Sequence, residues 1–130
     1  MAKIRPYEQN CPVARTLDLI GDRWTLLIIR DLFLGLTRFN QFIESSNGLP
    51  PKVLSSRLKK LQQHGLVERR IYNEHPLRAE YHLTEKGRSL LPIVKAIGQW
   101  GFDHMFEGED KLRDHVYEIV TAAIPELAER

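Results

Sequence analysis

Lys52, Ser55, Ser56 and Lys59 fall close together in the stretch LPPKVLSSRLKKLQQHGL, from Leu49 to Leu66. A lysine ammonium can donate to guanine acceptors, and a serine hydroxyl can bond to several bases, so the set suits reading the edge of a duplex. Leu54, Leu58 and Leu61 recur at helical spacing in the same stretch. At about 100° per residue, Lys52, Ser56, Lys59 and Gln63 lie opposite that stripe, with Ser55 and Arg57 on its flanks. Pro50 and Pro51 set the helix start, and Gly65 sets its end with Leu66 packing back beneath it. Pro51, at the entry to the helix, is grouped with the DNA-facing residues. No acidic residue lies between Leu49 and Leu66 to repel phosphate. A helix with a leucine back and a front of cations and small hydroxyls suits the major groove.

Such a helix needs elements to hold it. FNQFIESS before it reads as a short helix with Phe39, Phe42 and Ile43 turned inward, and Asn47-Gly48 is a turn dipeptide. Helix, turn and helix within about 25 residues match a helix-turn-helix. Arg38, Asn40 and the backbone amides before Phe39 sit at the start of the first of these helices, where N–H groups and the dipole favour phosphate. LVERRIY and EYHLT read as strands around the loop NEHPLRA, which makes a wing with Arg78 near its end. Arg78 is placed for the minor groove or its phosphates. Arg57 either touches phosphate or pairs with an acidic neighbour and braces the fold. Arg69 and Arg70 alternate faces, so at most one meets DNA.

Upstream, Val13, Leu17 and Ile20 mark a short amphipathic helix ended by Gly21, and Asp22 can cap the next. RWTLLIIRDLFLG is apolar on nearly every side and predicts the central helix, ended by Gly35. Leu36-Thr37-Arg38 reads as a brief extended piece. Downstream, Thr84 caps a single helix, EKGRSLLPIVKAIGQWGF, kinked at Pro92. The last helix runs from Lys111 to Arg130, and its stripe comprises Leu112, Val116, Ile119, Val120, Ala123 and Ile124. A winged helix of about 70 residues closes its own core. The surplus apolar faces of the terminal helices, with Val13, Leu17 and Trp100 among them, are therefore assigned to a second copy.

The 130 residues make one α+β domain, a mostly helical winged helix-turn-helix with a two- or three-stranded wing. Residues 1–10 form a partly ordered arm, 11–21 and 85–130 the dimerisation helices, and 22–84 the DNA-binding core. Between Pro50 and Arg88 nine Lys and Arg outnumber four Asp and Glu, whereas from Trp100 to Arg130 three face eight. The net charge of +2 hides this asymmetry. A solvated basic face would explain the charge but not the neighbouring elements. One cysteine excludes an internal disulfide, and no apolar run approaches the roughly 20 residues of a membrane span. Without the apolar core of a secretory signal at its start, the chain is expected to be cytoplasmic and off the membrane. His64, His75, His82, His104 and His115 show no metal-ligand spacing, and no nucleophile motif or phosphate loop occurs, so neither a metal, a cofactor nor an enzymatic activity is expected. Trp24 and Trp100 read as core aromatics rather than a ligand cage.

The pieces CPVARTLDLIGDRWTLLIIRDL, RFNQF, SSRLKKLQQHGLVERRIY, PLRAEYHLTEKGRSLLPIV and QWG resemble the HxlR-type winged helix-turn-helix regulators over nearly the whole chain. The resemblance implies a homodimeric bacterial transcriptional regulator with dimer contacts from its terminal helices. It also implies a response to a reactive small molecule or metabolite, with the cysteine near the N-terminus as sensor in several members. Cys11 stands at that position. Its own chemistry leaves two readings open: a small semi-buried residue without a duty, or a thiolate favoured by the helix start near Pro12 and by Arg15. The lack of a second cysteine weighs against a two-cysteine switch within one chain. The expected function is repression at an inverted-repeat operator in double-stranded DNA, with half-sites about one helical turn apart or a little more. The alternative from another class is a winged-helix protein-interaction or scaffold module without specific DNA binding.

Overall fold

The computed structural model describes residues 11–128. The expected arm at residues 1–10 therefore lies outside the described residues. Seven α-helices and one β-hairpin follow in the order α1 Pro12–Ile20, α2 Thr25–Phe33, α3 Phe39–Ser45, α4 Pro51–Gln63, β1 Val67–Glu74, β2 Leu77–Leu83, α5 Glu85–Arg88, α6 Leu91–His104 and α7 Asp110–Ala123. A 3₁₀ turn, Pro125–Ala128, closes the described chain.

α2 is the central helix. Ile28, Ile29 and Leu32 are buried against Phe42 of α3 and Leu54, Leu58 and Leu61 of α4. Each fully buried leucine of α4 contributes about 2 kcal/mol of transfer free energy. Asp22 acts at the start of α2 as expected: its carboxylate accepts from the amides of Trp24 and Thr25 at 3.1 and 3.2 Å. α4 has the anticipated limits. Pro51 enters its first turn, and Gly65 at φ +73° turns the chain so that Leu66 N donates to Leu61 O at 2.9 Å.

The wing differs from expectation in its lengths. The strands run through most of the expected loop, leaving His75 and Pro76 at the turn and placing Arg78 opposite Asn73 within β2. Strand propensity underestimated them because Asn73, Glu74 and Arg78 point to solvent on a two-stranded ribbon, where polar side chains cost little. The register shifts between Ile71 and Asn73, leaving Tyr72 unpaired. The extended piece at Leu36-Thr37-Arg38 joins the wing through one bond, Tyr81 N to Thr37 O at 2.8 Å, so the hairpin stays two-stranded.

The C-terminal half corrects four expectations. The single kinked helix after Thr84 is two helices, because Pro92 cannot donate to Arg88 and so starts α6 rather than continuing α5. The last helix stops at Ala123, where Pro125 lacks the donor that a further turn requires. Ile124 is consequently its C-cap, only 3% exposed, and is buried within the subunit rather than offered to a partner. Trp100, read both as a core aromatic and as part of the second-copy face, is 59% exposed and so is not in the core of the subunit. Trp24 remains half-buried against the core. No helix of the described residues is long and apolar enough to cross a membrane.

Two features had no sequence signal. Asp31 is fully buried in α2, paired with Arg30 at 2.9 Å, and its Oδ2 has no hydrogen-bond partner among the described residues. Gly87 lets α5 approach Leu66 so closely that a Cβ would meet the Leu66 carbonyl oxygen at 2.1 Å. The glycine of the LTEKG motif is thus a packing requirement.

Candidate nucleic-acid interface

The α3–turn–α4 unit presents one open face. Lys52, Ser55, Ser56, Lys59 and Gln63 are exposed, while Leu54, Leu58 and Leu61 are buried behind them. Among the described residues neither Lys52 nor Lys59 has a hydrogen-bond or ion-pair partner, so both ammonium groups are free to meet a ligand. Pro51 is exposed at the entrance to the same helix. No carboxylate stands on this helix.

The start of α3 is less open than its sequence suggests. Gln41 Oε1 accepts from the amides of Thr37 and Arg38, each at 3.0 Å, and so occupies the amides that precede Phe39. Those amides are satisfied internally, because a glutamine at the third helical position reaches back over them. Arg38 itself remains 55% exposed; its guanidinium stacks 4.9 Å from the Tyr72 ring and lies 3.8 Å from Glu80. Thr37 Oγ1 donates to the same carboxylate oxygen, Glu80 Oε2, at 3.1 Å. Asn40 is exposed nearby. Arg38 is thereby oriented by the wing as well as by its own helix.

Arg57 has the acidic partner that the sequence left open. Its Nε donates to Asp22 Oδ2 at 2.9 Å. Partial burial pushes the Asp22 carboxyl upward, but bonds from Thr25 and Arg57, the Trp24 amide and the Arg57 charge outweigh it. The balance lowers it from 3.8 to about 2. Next to Arg57 on that flank, Lys60 Nζ donates to the Asp18 carbonyl at 2.6 Å. Neither partner was legible, since both lie more than thirty residues away.

On the wing, Arg78 and Arg69 are exposed, and Arg70 pairs with Glu68. Cys11 is half-buried at the N-cap of α1, where its carbonyl accepts from Arg15 N at 2.9 Å. Val13 and Leu17 on α1, Trp100 on α6, and Leu112 and Ile119 on α7 are exposed apolar side chains. Ala123 is exposed with them, whereas Val116 and Val120 turn toward α6 and line a cleft with Phe102 and Tyr117. No three His, Cys, Asp or Glu among the described residues are grouped to hold a metal.

Residues 19–109 match the family model of the HxlR-like helix-turn-helix, which spans α2, the helix-turn-helix, the wing and α6. The chain belongs to the HxlR family. Its relatives include the HTH-type transcriptional regulator Rv3095 of Mycobacterium tuberculosis, 44% identical over 106 residues covering 79% of this chain. The match spans 66% of that relative's length. Among solved structures, the transcription-factor candidate PA1607 is 48% identical with a TM-score of 0.67, over 78% of this chain and 70% of that one. The oxidised form of the redox regulator HypR is 37% identical with a TM-score of 0.67, over 72% of this chain and 97% of that one. This HxlR protein therefore carries an HxlR-like helix-turn-helix within a winged-helix fold. The family is one of regulators, not of enzymes.

Proposed function

We propose that this HxlR protein is a cytoplasmic homodimer that represses transcription by occupying an inverted-repeat operator, with one α4 in the major groove of each half-site. The observation that carries the reading is the unpaired Lys52–Lys59 face of α4, open on a helix whose other side is locked in the core. Lys52, Ser55, Ser56 and Lys59 read base edges, with Pro51 beside them at the helix entry. Arg38 and Asn40 meet the flanking phosphates and Arg78 reaches the adjacent minor groove or its backbone, while Arg57, committed to Asp22, braces α4 from the side away from DNA. Exposed apolar side chains supply the dimer contact, namely Val13 and Leu17 with Trp100, Leu112, Ile119 and Ala123. The segments 11–21 and 85–130 hold the two copies, and 22–84 reaches DNA.

Similarity to the redox regulator HypR supports a signalling role for Cys11, which caps the helix carrying Val13 and Leu17. A small-molecule effector has a place to bind in the apolar cleft of about 520 Å³ between α2, α6 and α7. Selection of genomic fragments by the purified protein, followed by sedimentation of the complex, tests the reading. A palindromic duplex bound by two chains is expected. A module built for protein contacts instead recovers no sequence and shows no steep salt dependence. For Cys11, alkylation is expected to change operator affinity in the wild type and not in Cys11→Ser; equal affinity throughout removes the sensing role.

A further inference from the structure

α4 is tied to the end of α1 through the flank it does not offer to DNA. Arg57 and Lys60 share that flank, one turn apart. Lys60 takes the Asp18 carbonyl in the last turn of α1, where carbonyls lack helical donors and the dipole is negative. Arg57 takes Asp22, two residues beyond the same helix. Asp22 is in turn fixed by the amides of Trp24 and Thr25 and by the Thr25 hydroxyl at the start of α2. One carboxylate thus joins the α1–α2 junction to α4. The elements assigned to the second copy and the helix assigned to DNA meet at these two contacts.

We propose that Asp22 is a positioning residue for DNA recognition: through Arg57, and with Lys60 on Asp18 alongside, it sets the angle of α4 relative to α1. That angle fixes the pitch and spacing at which two copies of α4 enter a duplex. This role rests on the DNA-binding dimer proposed above. Simple electrostatics predicts the opposite sign, since removing an anion beside a DNA-binding helix strengthens attraction to phosphate. As a positioning group, Asp22 is an anion whose loss weakens specific binding.

The test measures affinity for the duplex selected by the wild-type protein and for a random duplex, each across a salt series. Wild type, Asp22→Asn, Arg57→Gln and the double variant are compared. Asparagine keeps an oxygen for the Trp24 and Thr25 amides, and glutamine keeps a donor toward position 22. Each single variant is expected to lose about tenfold in affinity for the selected duplex, within the range of contacting pairs. Random-duplex affinity and the salt slope stay unchanged, and the double variant is no weaker than the worse single. A mere loss of stability would lower both affinities together. Asp22→Asn binding as tightly as wild type, or more tightly, overturns the proposal. So does an Arg57→Gln slope flatter by about 0.9 per half-site, which makes Arg57 a phosphate contact. If Asp22→Asn does not fold, the slope of Arg57→Gln alone decides between these outcomes. Failure of the wild-type protein to select any duplex is a separate result and removes the DNA-binding dimer itself.

Discussion

Lys59→Ala is the most informative single substitution. The side chain is exposed and unpaired, and it sits one position beyond the buried Leu58 on a helix anchored in the core by Leu54, Leu58 and Leu61. Alanine is the best helix former, so stability should hold or rise by a few tenths of a kcal/mol. A lysine contact to a base edge or phosphate is worth about 1 kcal/mol, and a symmetric dimer loses two of them. Specific affinity should therefore fall by about 2 kcal/mol, roughly 30-fold. If the ammonium meets phosphate, the slope of log affinity against log salt also flattens by about 1.8 for the two copies. Fluorescence anisotropy of a labelled operator duplex over 50–200 mM salt reads both quantities. Lys111→Ala, in the acidic C-terminal half, is the control and should change neither. Unchanged affinity for Lys59→Ala, with the control behaving alike, would refute the assignment of this face.

Three further outcomes follow from the packing. Gly87→Ala puts a Cβ 2.1 Å from the Leu66 carbonyl oxygen and 2.9 Å from Leu83 Cδ2, so thermal unfolding should show a loss of about 1–3 kcal/mol; an unchanged midpoint contradicts the close approach. Asp22, held at about 2 against an ordinary 3.8, contributes stability that is present above about pH 4 and lost as the pH falls toward 2. Screened for its partial exposure, the contribution is about 1 kcal/mol, and Asp22→Asn should flatten acid unfolding across that window. Leu17→Glu places a charge on an apolar side chain that is 55% exposed in the subunit, and sedimentation should show a shift from dimer to monomer with the fold retained by circular dichroism.

α4 was legible because its limits and its buried stripe are local: two prolines, a leucine repeat and a glycine define it within eighteen residues. The wing and the helix-turn-helix were legible for the same reason. Long-range pairings were not. Nothing near Arg57 in the chain points to Asp22, and the burial of Asp31 inside an apolar helix breaks the pattern from which burial is read. Amphipathic stripes likewise show which residues are apolar, not whether they meet the same subunit or another. Ile124 therefore turned inward where the helix ends, and of the two readings of Trp100 the core one fails, since its ring is exposed on α6. Gln41 was readable as a helix-start signal, since a glutamine three residues into a helix reaches back over the preceding amides.

Methylation interference on the selected duplex tests the groove assignment most directly, because guanine N7 lies in the major groove. Methyl groups at guanine N7 should block binding in two clusters about one helical turn apart, one for each copy of α4. Binding indifferent to major-groove methylation, or blocked at one cluster only, would contradict a symmetric pair of helices lying in the major groove.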